Sequence, residues 1–290
     1  MNRFLHDICL WLRIIRPQTL FASVVPVLIG ICAVQHGQMP LTTSHPGWVA
    51  AITVVCALSL QVLSNLINDY YDFVRGTDKA GRQGFRRALA EGEVSEASMH
   101  RACMLALAVS VVCGAFLVWE GGMPILLIGL SAILFAWLYT ATDHSLSYLG
   151  IADIFVFLYY GVVASSGTVW LLTHTFSLTP FYAGAACGVV SMSVLMINNL
   201  RDMDDDRVAG KRTLPVRFGK PACELLLLAE MLLLPLFAWL AFCKVVCWLL
   251  LIPGMALFGR VVRANGRQYN RCLLFAGLLN VVYYLLCLIA

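Results

Sequence analysis

The sequence predicts an all-α, multi-pass membrane helical bundle, and three observations carry that prediction. Of the 290 residues, 60% are hydrophobic and only 12% charged, so the surface is built for lipid rather than water. Nine runs approach the roughly 20 apolar residues needed to cross a hydrocarbon core. The basic residues fall in alternate connectors between those runs.

Taken in order, the N-terminal "MNRFLHDICLWLRIIRPQ" carries charges through a short apolar stretch with no small-residue cleavage site behind it. It reads as an interfacial amphipathic segment over residues 1–17 rather than a cleaved signal. The spans follow over 18–35, 47–70, 98–118, 122–141, 148–171, 179–200, 222–242, 245–262 and 270–289. Connectors 36–46, 120–122 and 173–180 contain no Lys or Arg. With nine spans and a cytoplasmic N-terminus, every Lys and Arg of the 20 except Lys244 lies on the cytoplasmic side, as the positive-inside rule requires. The basic residues flank spans and acidic clusters, so no nucleic-acid partner is expected. The expected setting is a cell (cytoplasmic or inner) membrane, with the bilayer as solvent and residues 1–290 forming one domain. The eleven cysteines sit mostly within apolar runs without paired spacing, and no two of the six histidines share metal-ligand spacing; neither set implies a disulfide framework or a metal centre.

Chemistry concentrates in two polar interruptions. At the end of the second span, Asn65, Asn68, Asp69 and Asp72 recur at helical spacing and share one face; Asp78 follows beyond Gly76. At the end of the sixth, Asn198, Arg201, Asp202, Asp205 and Asp206 repeat the pattern, again followed by glycine and basic residues. Four spans separate the motifs, so both emerge on one side and an internal repeat of about four helices follows. Solvated helix ends account for Asp204 or Asp205. They account poorly for one-sided stripes, because an acid at membrane depth costs about 2.5–3.5 kcal/mol and a helix C-terminus disfavours anions. A hard divalent cation removes both difficulties, since carboxylate and amide oxygens are what Mg²⁺ accepts, together with phosphate oxygens. Lys79, Arg82, Arg201 and Lys211 beside the acids suit the anionic oxygens of a diphosphate.

"NDYYDFVRGTD" (68–78) and "NNLRDMDDDRVAGKRTL" (198–214) resemble the two aspartate-rich motifs of the UbiA superfamily of intramembrane prenyltransferases. The spacing from Asp72 through Gly76 to Asp78, and the stretch Gly210 to Leu214, are similar to its branch acting on 1,4-dihydroxy-2-naphthoate. "RPQTL" (16–20), "YT" (139–140) and "YLGIAD" (148–153) look like further landmarks in order, so the resemblance reaches about residue 220. It implies about nine helices around a central cavity, two four-helix-like halves plus a ninth. Asn68, Asp72 and Asp78 would carry the first metal-diphosphate motif and Asn198, Asp202 and Asp206 the second. Asp69 is a further metal candidate and Asn65 a further diphosphate candidate; Asp72, Asp202 and Asp206 are the expected catalytic centre.

The implied reaction is Mg²⁺-dependent transfer of a polyprenyl group from its diphosphate to 1,4-dihydroxy-2-naphthoate with loss of CO₂, using two Mg²⁺ to neutralise the leaving group. Tyr139 and Asp153 are the candidates for the aromatic acceptor; an interfacial tyrosine and a structural acid are their alternatives. Two other functions fit the same residues less fully. Prenylation of another acceptor such as 4-hydroxybenzoate would leave the carboxyl in place. A cation-coupled transporter would use repeated carboxylates but needs a second gate, and no second polar cluster marks one.

Overall fold

The structure is a computed structural model describing residues 3–76, 87–138, 146 and 150–289. Every regular element among the described residues is helical. The first, α1 (Arg3–Ile15), buries Leu10 and Ile14 in a cluster with Leu63, Leu66 and Ile67, so it lies against the membrane end of the second long helix. Then come α2 (Pro17–His36), α3 (Pro46–Val74), α4 (Glu96–Gly121), α5 (Met123–Leu138) and α6 (Ala152–Thr173). The chain continues through α7 (Leu178–Arg201), the short α8 (Met203–Val208), α9 (Leu214–Phe242), α10 (Val245–Arg263) and α11 (Tyr269–Ile289).

Among the described residues, eight helices are long and apolar enough to cross a membrane, which makes this an integral multi-pass membrane protein. The ninth expected span is α5, whose described helix has 16 residues and stops at Leu138; the expected end at 141 lies outside the described residues. Nine is therefore an approximate count.

Burial ranks the spans. In α7, 72% of the apolar window is enclosed, against 17% in α4, so α7 is the central post and α4 faces lipid. α9, α6, α11 and α2 pack around α7, while α3 packs chiefly on α4. The first motif helix thus pairs most closely with the long helix after it, α4, while α7 is clasped about equally between α6 and α9. Small residues set the closest approach: a Cβ on Gly161 would stand 2.5 Å from the Gly184 carbonyl oxygen and 2.6 Å from the Gly188 Cα. Only glycine lets α6 and α7 touch backbone to backbone.

α6 contains a wide π-turn over Leu158–Val163, with Tyr160 at φ −89, ψ 17. Irregular backbone at membrane depth is tolerated where protein or a cavity surrounds it, and Tyr160 borders a cavity.

The connectors at one end are tied together. The Thr42 hydroxyl meets His174 Nδ1 at 2.7 Å, and the Thr43 hydroxyl donates to Glu120 Oε2 at 3.1 Å. His174 Nε2 lies 3.0 Å from the Glu120 carbonyl oxygen, and Trp170 Nε1 donates to the Gly121 carbonyl at 2.8 Å. These contacts join the α2–α3, α4–α5 and α6–α7 connectors. Both acidic motifs lie at the opposite end.

Candidate active site

α3 remains helical to Val74, so the first stripe keeps the single face its spacing requires. Asn65, Asp69 and Asp72 are buried and Asn68 is half-buried. Three cations converge there from distant parts of the chain. Arg16 and Arg87 both ion-pair with Asp69. Arg87 also stands 3.9 Å from Asp72 Oδ2, and Lys211 Nζ approaches the same oxygen at 3.5 Å. Arg16 reaches Asp69 from the α1–α2 junction, where its backbone takes the left-handed conformation (φ 54) that lets α2 begin at Pro17. Arg16 opens the RPQTL landmark and Arg87 is marked by no motif; only the fold brings both to Asp69.

The second stripe is not one continuous helix. α7 ends at Arg201, and Asp202 (φ −96, ψ 9) breaks the helix before α8. The Asp206 N–H donates to the Asp202 carbonyl at 2.8 Å, and the Lys211 N–H to the Asp206 carbonyl at 2.9 Å. Gly210, at φ +74, makes the reversal that a side-chain-bearing residue resists. Asp202 and Asp206 are consequently buried while Asp204 and Asp205 are exposed. Folded this way, the loop delivers Lys211 to Asp72, so the two motifs meet at one end of the bundle.

Two predicted ligands are otherwise engaged. Arg201, expected on a diphosphate, turns back onto its own motif. Its Nε and Nη2 donate to Asp202 at 2.8 and 2.7 Å, Nη2 donates to Asn198 Oδ1 at 2.8 Å, and Nη1 donates to Asn270 Oδ1 of α11 at 2.9 Å. Asn65, expected likewise, donates to the Ile15 carbonyl and the Thr19 hydroxyl at 3.0 Å each and accepts from Gln61. It locks α3 to the α1–α2 junction. Asp153 is buried at the start of α6 with Oδ1 lacking a partner among the described residues. Asp78, Lys79, Arg82 and Tyr139 lie outside the described residues.

The donor set suits a hard cation. Asn68 Oδ1 is buried with no hydrogen-bond partner among the described residues, and the other candidates, Asp72, Asn198, Asp202 and Asp206, are oxygen donors as well. No group of three or more His, Cys, Asp or Glu among the described residues could hold an ion by itself. Basic side chains already balance Asp69, Asp72 and Asp202, and the oxygens are divided between two motifs. Such a set fits an ion that shares its coordination shell with phosphate oxygens.

Beneath the stripe lies a cavity of about 560 Å³, bounded by α2 to α6. Gln61 and Ser64 mark its polar end on α3, and Ser64 stands one helical turn, about 6 Å, before Asn68. Most of the remaining wall is apolar, from Val27 and Leu60 to Ile128, Phe155 and Leu171.

Known proteins resemble this chain in sequence and in fold. The 1,4-dihydroxy-2-naphthoate octaprenyltransferase of Escherichia coli K12 is 34% identical over 84% of this chain and 81% of its own. That of Mycobacterium leprae is 33% identical over 72% and 69%. Among solved structures, a UbiA homolog from Archaeoglobus fulgidus bound to DMAPP and Mg²⁺ superposes with a TM-score of 0.68 at 18% identity, covering 96% of this chain and 98% of that one; at that identity the likeness speaks for the fold. The model of the UbiA prenyltransferase family matches residues 23–284, and with relatives a third identical along most of both chains, this protein belongs to that family.

Proposed function

We propose that this protein transfers a polyprenyl group from its diphosphate to 1,4-dihydroxy-2-naphthoate with loss of CO₂, giving demethylmenaquinol. The observation that carries the proposal is the Lys211–Asp72 contact. It closes two oxygen-rich motifs on each other directly above an apolar cavity, a ceiling for a diphosphate and a room for its hydrocarbon. The named activity of the octaprenyltransferase relatives supports the choice of acceptor.

In this reading Asn68, Asp72, Asn198, Asp202 and Asp206, with Asp78, would hold Mg²⁺, two ions in all, which when bound would supply positive charge against the departing diphosphate. Lys211, Arg16 and Arg87, with Lys79 and Arg82, bind the remaining phosphate oxygens and orient C1 toward the cavity. As the allylic C–O bond breaks, its electron pair leaves with the diphosphate. A ring carbon of the acceptor supplies the pair for the new C–C bond, and the pair released with CO₂ restores the aromatic ring. The apolar wall keeps water from the allylic carbon. Tyr139 contacts the acceptor in this reading. Asp153 supports the acceptor side from the buried start of α6. The domain is the whole chain, with residues 1–17 at the interface. It sits in the cytoplasmic membrane with its motif end inward, as the clustering of basic residues at that end supports.

The test uses purified protein in lipid with octaprenyl diphosphate, Mg²⁺ and carboxyl-labelled dihydroxynaphthoate. Labelled CO₂ should appear in step with prenylated product and stop on chelation of Mg²⁺. Label retained in the lipid product would instead identify an acceptor prenylated without decarboxylation.

A further inference from the structure

Beyond Glu230 the sequence contains no Asp or Glu, yet it gathers Arg260, Arg263, Arg267 and Arg271 into one short stretch. Arg260 and Arg263 sit in the last turn of α10, Arg267 in the tight turn Gly266–Gln268 that follows, and Arg271 in the first turn of α11. All four are exposed, and none has a carboxylate partner among the described residues. Arg201 of the second motif reaches Asn270 in the same stretch, so the four stand at the motif end of the bundle. The positive-inside rule accounts for basic residues at that end. It does not account for four arginines on one turn with no counter-charge.

Three contacts fix the turn that presents them. Lys220 Nζ of α9 donates to the Val262 and Ala264 carbonyls at 3.3 Å each. The Asn265 N–H donates to Gln268 Oε1 at 3.1 Å. Arg260 Cζ stands 4.5 Å from the centre of the Phe275 ring, a cation–π contact that spans α10 and α11.

Below the arginines, each helix carries an outward apolar face in line with them. Arg271, Phe275, Leu278, Val282 and Leu285 share one face of α11, and Ile252, Ala256, Arg260 and Arg263 share one face of α10. All of them are exposed. None lines the central cavity, whose walls come from α2 to α6, so they are not exposed into it. From Arg271 to Leu285 the stripe runs about 21 Å, longer than one leaflet's half of a hydrocarbon core of about 30 Å. Gly259, next to Arg260, leaves room beside the headgroup level: a Cβ there would meet nothing within 4 Å.

We infer that the α10–α11 turn is a binding site for an anionic phospholipid of the leaflet at the motif end. Arg260, Arg263, Arg267 and Arg271 take its phosphates, and its acyl chains lie along the two apolar stripes. Guanidinium groups meet phosphate oxygens through paired hydrogen bonds, and basic pockets between membrane helices suit such headgroups. Charge and apolar surface select the same occupant. A free phosphate would use only the arginines, and a zwitterionic lipid would leave their excess charge unmet. The site is separate from the two motifs and does not depend on the prenyl-transfer reading.

The experiment measures lipid binding to the full chain in detergent by native mass spectrometry, with tetraoleoyl cardiolipin or dioleoyl phosphatidylcholine as the titrant. Wild type should bind cardiolipin saturably and at least about tenfold more tightly than phosphatidylcholine, and inorganic phosphate should not displace it. Arg267→Gln/Arg271→Gln should lose at least about tenfold in cardiolipin affinity. The control Arg101→Gln/Arg207→Gln removes the same charge from exposed positions elsewhere at the motif end and should stay within about twofold of wild type. Gly259→Leu fills the space without altering charge, and should weaken cardiolipin by at least about threefold at an unchanged melting temperature; it decides the matter alone if the arginine variant does not fold. Equal affinity for the two lipids, or unchanged cardiolipin affinity in Arg267→Gln/Arg271→Gln or in Gly259→Leu, would overturn the site. So would an equal loss in the Arg101→Gln/Arg207→Gln control, or displacement by inorganic phosphate.

Discussion

Replacing Arg201 with methionine should expose how the second motif is held. Its guanidinium and the Asp202 carboxylate are 3% and 4% exposed and joined by two hydrogen bonds. This places the pair in the buried regime rather than the surface one, where ion pairs contribute about 0–1 kcal/mol. Methionine keeps the aliphatic packing but leaves Asp202 without its guanidinium partner and the Asn198 and Asn270 side-chain oxygens each without a donor. The expected cost is about 3–5 kcal/mol. Denaturant unfolding in mixed micelles should be run on Arg201→Met, Asp202→Asn and the double variant. If the pair acts as a unit, the double variant will be less damaged than the sum of the singles by about 1.5 kcal/mol or more. Mg²⁺ with a non-hydrolysable prenyl diphosphate should restore part of the stability of Arg201→Met, since it returns positive charge to Asp202, and should do less for the double variant. Additivity within about 0.5 kcal/mol would refute the reasoning.

Lys211→Met removes the cation that spans the motifs; kcat/KM for the prenyl diphosphate should fall at least about tenfold with the melting temperature little changed, and a wild-type value would remove Lys211 from the diphosphate site. Gly161→Ala places a Cβ 2.5 Å from the Gly184 carbonyl oxygen, so α6 and α7 must part at a cost of about 1–3 kcal/mol. The yield of folded protein and its unfolding midpoint should both drop, and unchanged values would mean the helices repack freely.

The spans were legible because hydropathy is set by solvent, and lipid admits little else for twenty residues. The α3 stripe was legible because its helix runs unbroken past Asp72, so spacing maps onto one face. The second stripe was only partly so. Its 0, 3, 4, 7, 8 spacing assumes a continuous helix, but the break at Asp202 sends Asp205 outward and Asp206 inward. Long-range partners left no local mark. Arg16 and Arg87 lie 53 and 18 residues from Asp69, and Asn270 lies 69 from Arg201. The last helices, apparently mere hydrophobic filler in sequence, supply through Asn270 a support for the second motif. The π-turn at Tyr160 was equally hidden, since an extra residue in a helical turn does not alter composition.

The ties among Thr42, Thr43, Glu120, Trp170 and His174 act on the bundle as stitching acts on the spine of a book. Helices sewn together at that edge fan apart more readily at the other, so breathing that admits or releases a reactant is favoured at the edge that carries the two acidic motifs.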